Sequence, residues 1–370
     1  MPHIERALEL ASSALYITSP NPRVGCVLVN LAGQVIGTGH TQQAGGPHAE
    51  VMALRDAQAQ GHSTAGATAF VTLEPCAHQG RTGPCCDALI AAGIKRVVAS
   101  LEDPNPLVAG QGFARLRNAG VEVELGPGAA QSRELNIGFF SRMQRRRPWM
   151  RLKLAASLDG VTALENGKSQ WITGQEARAD GHAWRARACA VLTGVGTVLQ
   201  DKPRLDVRHV ATPRQPTLVI VDSALQTPPD AALFGTVRKV LIYAAQPHAE
   251  RQAALSRSGA QIIYMPGPVS SPGHTPKVDL QAMAIDLAQR EINEVHIEAG
   301  HKLNGSLLRA GLVDEMVVYL APLWLGLGAG MSNLGPLTEL AQGIALDFQS
   351  TVHLGADLRF LARVQGAADF

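Results

Sequence analysis

One histidine, one glutamate and two cysteines are spaced as a metal site with a proton-handling group beside it: His48-Ala49-Glu50, then Pro75-Cys76 and, eight intervening residues later, Cys85. An imidazole and two thiolates offer zinc three protein ligands and leave a fourth position for water, the catalytic arrangement, whereas a structural site wants a fourth protein ligand. Cys86 could supply one on paper, although adjacent cysteines seldom both reach one tetrahedral ion. Zinc lowers the pKa of water in such a site to about 7, and attack on an amino-bearing ring carbon then needs a proton shuttle. Glu50 suits that role. Two residues past the histidine on a helix, it points away from the ligand direction and can face substrate and water. Helix starts expected after His48 and after Pro84 place partial positive charge near Cys85, which favours its thiolate.

The elements that must carry these residues follow from apolar periodicity. A helix over about Pro2 to Leu15, strands at Val24 to Asn30 and near Gln34 to Gly39, and a helix at roughly His48 to Gln60 come first. A strand at Thr68 to Leu73, a helix from near Pro84 to Ala92 and a strand at Arg96 to Ser100 continue the alternation of an α/β domain. The charge run RMQRRRP (Arg142 to Pro148) reads as a solvated linker or helix end, with phosphate binding as the alternative, and divides the chain into domains 1–146 and 147–370. Beyond it the α/β rhythm repeats. Strands are predicted at Met150 to Ala155, Ala190 to Thr193, Thr217 to Asp222, Lys239 to Tyr243, Gln261 to Tyr264, Glu294 to Glu298 and Glu315 to Leu320, with helices near Gly174 to Arg187, Asp279 to Arg290 and Leu303 to Ala310. The Pro/Gly/Ser-rich tract Pro266 to Pro276 reads as a loop, and no internal repeat is visible.

Bulk properties narrow the function class. A length of 370 residues suits two domains of ordinary size, and 46% hydrophobic with 17% charged residues is a globular composition. A net charge of +2 gives no field to hold a polyanion, so a small-molecule substrate is expected and nucleic acid is not. Five cysteines, an odd number without a signal sequence, do not describe a disulfide framework, and the cytoplasm is the expected compartment. The uncharged stretch Met316 to Thr338 has the length of a membrane span, but Pro322, Pro336 and Gly326, Gly328, Gly330 and Gly335 break it into a strand and an irregular loop. No membrane association is expected.

The order H-x-E, then P-C-x-x-C, is the zinc-deaminase pattern, with the glutamate as general acid and base. Here the cysteine spacing is longer. With that spacing, EPCAHQGRTGPCC (Glu74 to Cys86) and TSPNPRVG (Thr18 to Gly25) closely resemble the bifunctional riboflavin-biosynthesis deaminase/reductase family, and the likeness covers nearly the whole chain. That family typically has Pro-Pro before the cysteine pair where this chain has Gly83-Pro84, a change that loosens the loop and removes no ligand. The resemblance implies a zinc cytidine-deaminase-like domain followed by a dihydrofolate-reductase-like domain. It further implies deamination of 2,5-diamino-6-(5-phosphoribosylamino)pyrimidin-4(3H)-one, with His48, Cys76 and Cys85 on zinc, Glu50 as proton shuttle, and Asn21 and His78 holding the ring. Read alone, Asn21 between two prolines is a turn residue and His78 an exposed loop residue.

In the second half, KLAASLDG (Lys153 to Gly160) with SQWIT (Ser169 to Thr173) resembles the reductase half of the same family, which uses NADPH. Thr193-Gly194-Val195-Gly196-Thr197 after a strand would let backbone N–H groups approach a phosphate, but it is not G-x-G-x-x-G and implies no Rossmann fold. The turn Glu298 to Ser306 joins a strand to a helix and offers that helix's N-terminus to an anion, with Lys302 adding charge. The resemblance implies NADPH contacts from Ala155, Trp171, Thr197, Asp201, Ser223, Gly300, His301, Lys302, Leu303, Asn304, Gly305 and Ser306. It implies substrate contacts from Ser169, Arg185, Leu205, Arg208 and Glu298, of which the two arginines suit a phosphate because guanidinium binds it bidentately. The implied reaction brings hydride to C1′ of the ring-opened or iminium ribosyl group; Lys153 and Asp201 are the polar candidates for proton handling, and neither is assigned. A homodimer is expected from the family and from the commonness of twofold symmetry. Two other readings stand beside this one. A tRNA or nucleotide deaminase with an unrelated C-terminal module is disfavoured by the near-neutral charge and the cysteine spacing, and a zinc-stabilised binding protein is disfavoured by Glu50.

Overall fold

Short apolar runs alternating with turn residues build, in a computed structural model of the chain, two compact units, Met1–Arg146 and Arg147–Phe370. Residues 2–77, 83–106, 108–268 and 275–370 are described. The first unit contains α1 (Pro2–Ser13), β1 (Gly25–Val29), β2 (Val35–His40), α2 (Ala49–Ala59), β3 (Thr68–Val71), α3 (Cys85–Ala91), β4 (Arg96–Ala99), α4 (Gln111–Asn118), β5 (Glu122–Leu125), α5 (Ala129–Leu135) and α6 (Ile137–Arg145). Its five strands form one sheet in the order β2-β1-β3-β4-β5. β1 is antiparallel to both neighbours, and β3, β4 and β5 run parallel. β1, GCVLV, is buried at every position, as a continuous apolar strand inside a layered domain must be. Glycines in the sheet let helices approach: a Cβ on Gly39 would lie 2.3 Å from the Ala49 carbonyl oxygen. Gly39 thereby sets how close the first turn of α2 comes to the sheet.

The second unit contains β6 (Trp149–Ser157), β7 (Val161–Leu164), α7 (Gln175–Arg187), β8 (Ala190–Gly194), α8 (Val195–Asp201), β9 (Thr217–Val221), β10 (Val240–Ala244), α9 (Ala249–Arg257), β11 (Ala260–Tyr264) and α10 (Leu280–Gln289), then β12 (Glu294–Ile297), α11 (His301–Arg309), β13 (Glu315–Ala321), β14 (Gly328–Gly330), β15 (Leu346–Leu354) and β16 (Asp357–Val364). Nine strands form a sheet in the order β11-β10-β9-β8-β12-β6-β13-β16-β15, and β14 pairs with β7 as a separate ribbon. Pairing is parallel from β11 to β13 and antiparallel through β16 and β15. Met150, Leu152, Leu192, Val295 and Ile297 face one main core. Alternation along the strands puts Arg151 on the other face, where it is buried between Glu294 at 3.0 Å and Glu315 at 2.5 Å.

Several elements differ from the sequence expectation. α4, β5, α5 and α6 in the first unit, and β7, α8, α9, β14 and the β15–β16 hairpin in the second, were not predicted. α5 and α8 have seven residues each, too few for an apolar helical period to repeat. β15 is exposed at most positions and shows no apolar alternation. The stretch after Ala321, expected to be irregular, holds β14, and α11 begins at His301 and not near Leu303. The RMQRRRP run is a helix end: α6 finishes at Arg145, and Arg146 turns left-handed at φ 57°. Among the described residues no helix is long and apolar enough to cross a membrane.

Gly39→Ala should force the first turn of α2 outward and cost about 1–3 kcal/mol, the usual range for overpacking against a fixed backbone. Urea unfolding would measure it, and an unchanged midpoint would show that α2 yields freely.

Candidate active sites

In the first unit, the ends of two helices and one loop bring the sequence-predicted ligands together. His48 caps α2 in an extended conformation with Glu50 in the helix's first turn, Cys85 opens α3 behind Pro84, and Cys76 lies on the loop after β3. One ligand atom from each of His48, Cys76 and Cys85 falls within 4.8 Å of the others. His48 Nδ1 is 3.6 Å from Cys76 Sγ and 3.3 Å from Cys85 Sγ. One imidazole nitrogen converging with two soft sulfurs fits zinc by donor chemistry. Cys86 does not join them; its Sγ lies 3.0 Å from the Pro75 carbonyl oxygen and 3.6 Å from that of Gly112.

The charges at this point are mutually dependent. Hydrogen bonding from Cys85, reinforced by His48, holds the Cys76 thiol down to about 4, so the pair carries its first negative charge there. The Cys85 thiol, keeping the shared proton, is correspondingly raised. The bond to Cys76 raises His48 above the ordinary imidazole value. Burial, then the charge on Cys76, pushes Glu50 up to about 7 against the attraction of His48. A carboxyl poised near neutrality can hold or release a proton at working pH.

Asn21 sits in a turn, its N–H donating to the Thr18 carbonyl at 2.8 Å. His78 lies outside the described residues. The sequence reading missed Glu74, whose carboxylate accepts N–H groups from Asp103 (3.1 Å), Gly110 (3.0 Å), Gly112 (2.8 Å) and Phe113 (3.2 Å). This buried acid ties the segment after β4 to the Cys76 loop, and a lone glutamate at a strand end gives no periodic signal of such a role.

The second unit holds a cavity of about 680 Å³. Its wall includes Ala155, Ser169, Trp171, Arg185, Thr197, Asp201, Leu205, Arg208, Glu298, Gly300, His301 and Asn304 from the expected set. Ser223, Lys302, Leu303, Gly305 and Ser306 are absent from that wall. On a helix only one face can meet a cavity, and His301 and Asn304, three residues apart, share it. Leu303 packs against the apolar core. Gly305 lies against Asn333, where a Cβ would come within 1.8 Å of its carbonyl oxygen. The Ser306 hydroxyl donates to the Lys302 carbonyl at 3.1 Å. The Ser223 carbonyl accepts from Ala245 and Gln246, and its hydroxyl accepts from Val278.

Burial alone would raise Glu298, but the Arg185 guanidinium, gripping both carboxylate oxygens, holds it well below the usual range. Burial pushes Lys153 below its ordinary value, with Glu298 opposing. Asp201 is raised by burial while Ser169 hydrogen-bonds to it. Both arginines expected at a phosphate are paired, Arg185 with Glu298 and Arg208 with Asp206, but they differ in access: the Arg208 side chain is 43% exposed and that of Arg185 15%. His182, Arg204 and His209 line the same wall and were missed by the sequence reading.

The Cys86 geometry makes a direct prediction. Cys86→Ala should retain zinc at the level of the unaltered chain, while Cys85→Ala should lose it, both read by metal analysis after gel filtration; zinc loss in Cys86→Ala would make that sulfur a ligand.

Comparison with known proteins agrees with this two-site arrangement. Residues 2–101 match the cytidine and deoxycytidylate deaminase zinc-binding region, and residues 148–360 match the RibD C-terminal domain. The riboflavin biosynthesis protein RibD of Escherichia coli is 43% identical over 96% of this chain and 97% of its own length. RibD of Acinetobacter baumannii superposes with a TM-score of 0.88 at 41% identity, covering 98% of each chain. A Thermotoga maritima structure described as a diaminohydroxyphosphoribosylaminopyrimidine deaminase/5-amino-6-(5-phosphoribosylamino)uracil reductase superposes with a TM-score of 0.84 at 31% identity, again covering 98% of each chain. A zinc-binding deaminase fold with its converging nitrogen and sulfurs, and a separate reductase fold with its own cavity, thus occur in one polypeptide, and the chain belongs to the RibD family of bifunctional riboflavin-biosynthesis enzymes.

Proposed function

We propose that the first unit hydrolytically deaminates 2,5-diamino-6-(5-phosphoribosylamino)pyrimidin-4(3H)-one. The second then reduces the ribosyl group of 5-amino-6-(5-phosphoribosylamino)uracil to ribityl with NADPH. The observation that carries the first step is the convergence of His48, Cys76 and Cys85 beside the buried carboxyl of Glu50. These three residues would hold zinc, which when bound supplies the Lewis acidity that makes water nucleophilic near neutral pH. Glu50 takes one proton from the attacking water and passes it to the ring nitrogen, then moves the second proton from the added hydroxyl to the amino group, which leaves as ammonia. Asn21 and His78 are assigned to orienting the ring.

In the second unit NADPH, when bound, supplies the hydride for C1′. Ala155, Trp171, Thr197, Asp201, Ser223 and residues 300–306 are assigned to the cofactor, with Ala155, Trp171, Thr197, Asp201, Gly300, His301 and Asn304 best placed because they line the cavity. Arg208 receives the substrate phosphate, and Ser169, Leu205 and the Arg185–Glu298 pair hold the remainder. A cytoplasmic homodimer accompanies this reading, supported by the frequency of twofold assemblies among soluble enzymes.

Loss of NADPH absorbance on adding the diaminopyrimidinone phosphate to zinc-loaded protein, compared with adding the deaminated uracil compound, tests both halves. Oxidation is expected with both; chelator-treated protein should respond to the uracil compound alone, and silence with both substrates in the zinc-loaded protein would overturn the assignment. Glu50→Gln should retain zinc and lose deamination by about 10²-fold or more, and a nearly unaffected rate removes Glu50 from the mechanism. Arg208→Ala should raise the KM of reduction with little effect on deamination, whereas equal damage to both activities would make Arg208 structural.

A further inference from the structure

Residues 202–208 belong to no helix or strand, yet they carry Leu205 and Arg208 into the wall of the reductase cavity. Backbone outside a ladder must find its hydrogen bonds elsewhere, and here side chains from other parts of the chain supply them. Arg238 donates to the carbonyls of Leu205 and Arg204, each at 2.5 Å. Arg185 Nη1 donates to the Asp206 carbonyl at 3.0 Å. Gln215 accepts the Val207 N–H at 2.8 Å and donates to the Val207 carbonyl at 3.0 Å. The Arg208 N–H donates to His182 Nδ1 at 3.2 Å. Leu205 has a left-handed φ of 52°, a conformation that a non-glycine residue keeps only when its surroundings impose it.

Among these braces His182 is the one that reaches Arg208 itself. It lies on α7, is 5% exposed, lines the cavity, and packs edge-to-face on His209 with ring centroids 4.6 Å apart. We propose that His182 is a positioning residue of the reductase site, fixing Arg208 in the cavity wall by accepting its backbone N–H. The inference rests on the reading of Arg208 as the phosphate contact. An Nδ1 that accepts must be bare, so the neutral ring carries its proton on Nε2. Burial, aided by the charges of Arg185 and Arg208, holds this imidazole down to about 4, and the acceptor persists through the neutral range. The other end of Arg208 is held as well: its guanidinium bonds to Asp206, a buried carboxylate that also takes Arg204 Nε at 3.0 Å. Backbone and side chain are thus fixed from two directions, which lowers the ordering cost of meeting a phosphate.

The test uses the full chain and reads KM and kcat for reduction of 5-amino-6-(5-phosphoribosylamino)uracil. His182→Leu keeps the bulk and burial but removes the acceptor, and should raise KM about tenfold, the scale of one lost hydrogen bond, with kcat and deamination little changed. His182→Asn, whose Oδ1 can accept from the same N–H, should restore most of that loss. In an Arg208→Ala background the effect of His182→Leu on KM should vanish, as non-additivity requires of residues acting as a unit. If Arg208→Ala raises KM and His182→Leu does not, the positioning role is wrong and the phosphate reading stands; if Arg208→Ala itself leaves KM unchanged, the phosphate reading is what fails. Additive losses, or no rescue by asparagine, would reduce His182 to a packing residue. Should His182→Leu fail to fold, judged by lost deamination and thermal melting, the same cycle with His182→Ala decides the question.

Discussion

A charge removed from water must meet a partner or give up its proton, and the reductase unit is organised around that requirement. Glu294 and His296 from β12 share a sheet face with Arg151 and Lys153 from β6 and with Glu315 and Tyr319 from β13, and Glu298 follows just past the end of β12. α7 covers part of this face, bringing Arg185 to Glu298 and Arg187 to Glu294, while Trp184 lies under the Arg151 guanidinium. Arg363 from β16 reaches Glu315 from the other side. Slipping any of these strands by one residue would turn its charges into the apolar core and its leucines toward the ions. The ion pairs thus specify the parallel register, and that register sets Lys153 in the cavity wall beside Glu298, to which α7 brings Arg185.

The deaminase unit meets the same requirement by different means. Glu74 is satisfied without a cation, by four backbone N–H groups, and in being so it fixes the segment after β4 beside the Cys76 loop. Two thiols, an imidazole and a buried carboxyl gathered at the ends of α2 and α3 form a place where one added dication would relieve several unfavourable burials together. Close packing positions this group. With no side chain at Gly39, the backbone of Ala49 can lie against the sheet, and His48 and Glu50 flank that contact.

The first site was legible because unlike residues with complementary chemistry stood at fixed spacings: His48, Glu50, Cys76 and Cys85 need no tertiary information to suggest a zinc deaminase, and the longer cysteine spacing narrowed the family. The second wall was legible in part. Resemblance by position nominated a continuous run from Gly300 to Ser306, but a helix shows a cavity one face, and only Gly300, His301 and Asn304 of that run reach it. His182 and Gln215 carried no signal because their partners are backbone groups in an irregular segment, and such pairings are set by tertiary structure alone. The helices at Ala129–Leu135 and Val195–Asp201 escaped for want of length, and the β15–β16 hairpin because its outer strand is solvent-facing at most positions.

Strand order also imposes a timetable on synthesis. β12 (Glu294–Ile297) sits between β8 and β6, strands that precede it by about a hundred residues or more. A chain emerging from the ribosome N-terminus first has every strand of the deaminase unit available once α6 ends at Arg145. The reductase sheet has no centre until β12 appears, and before then β8 and β6 each present an unpaired edge able to template pairing with another chain. Premature termination between these points would therefore release a polypeptide with a complete deaminase unit and a half-built sheet in which β8 and β6 both present unpaired edges.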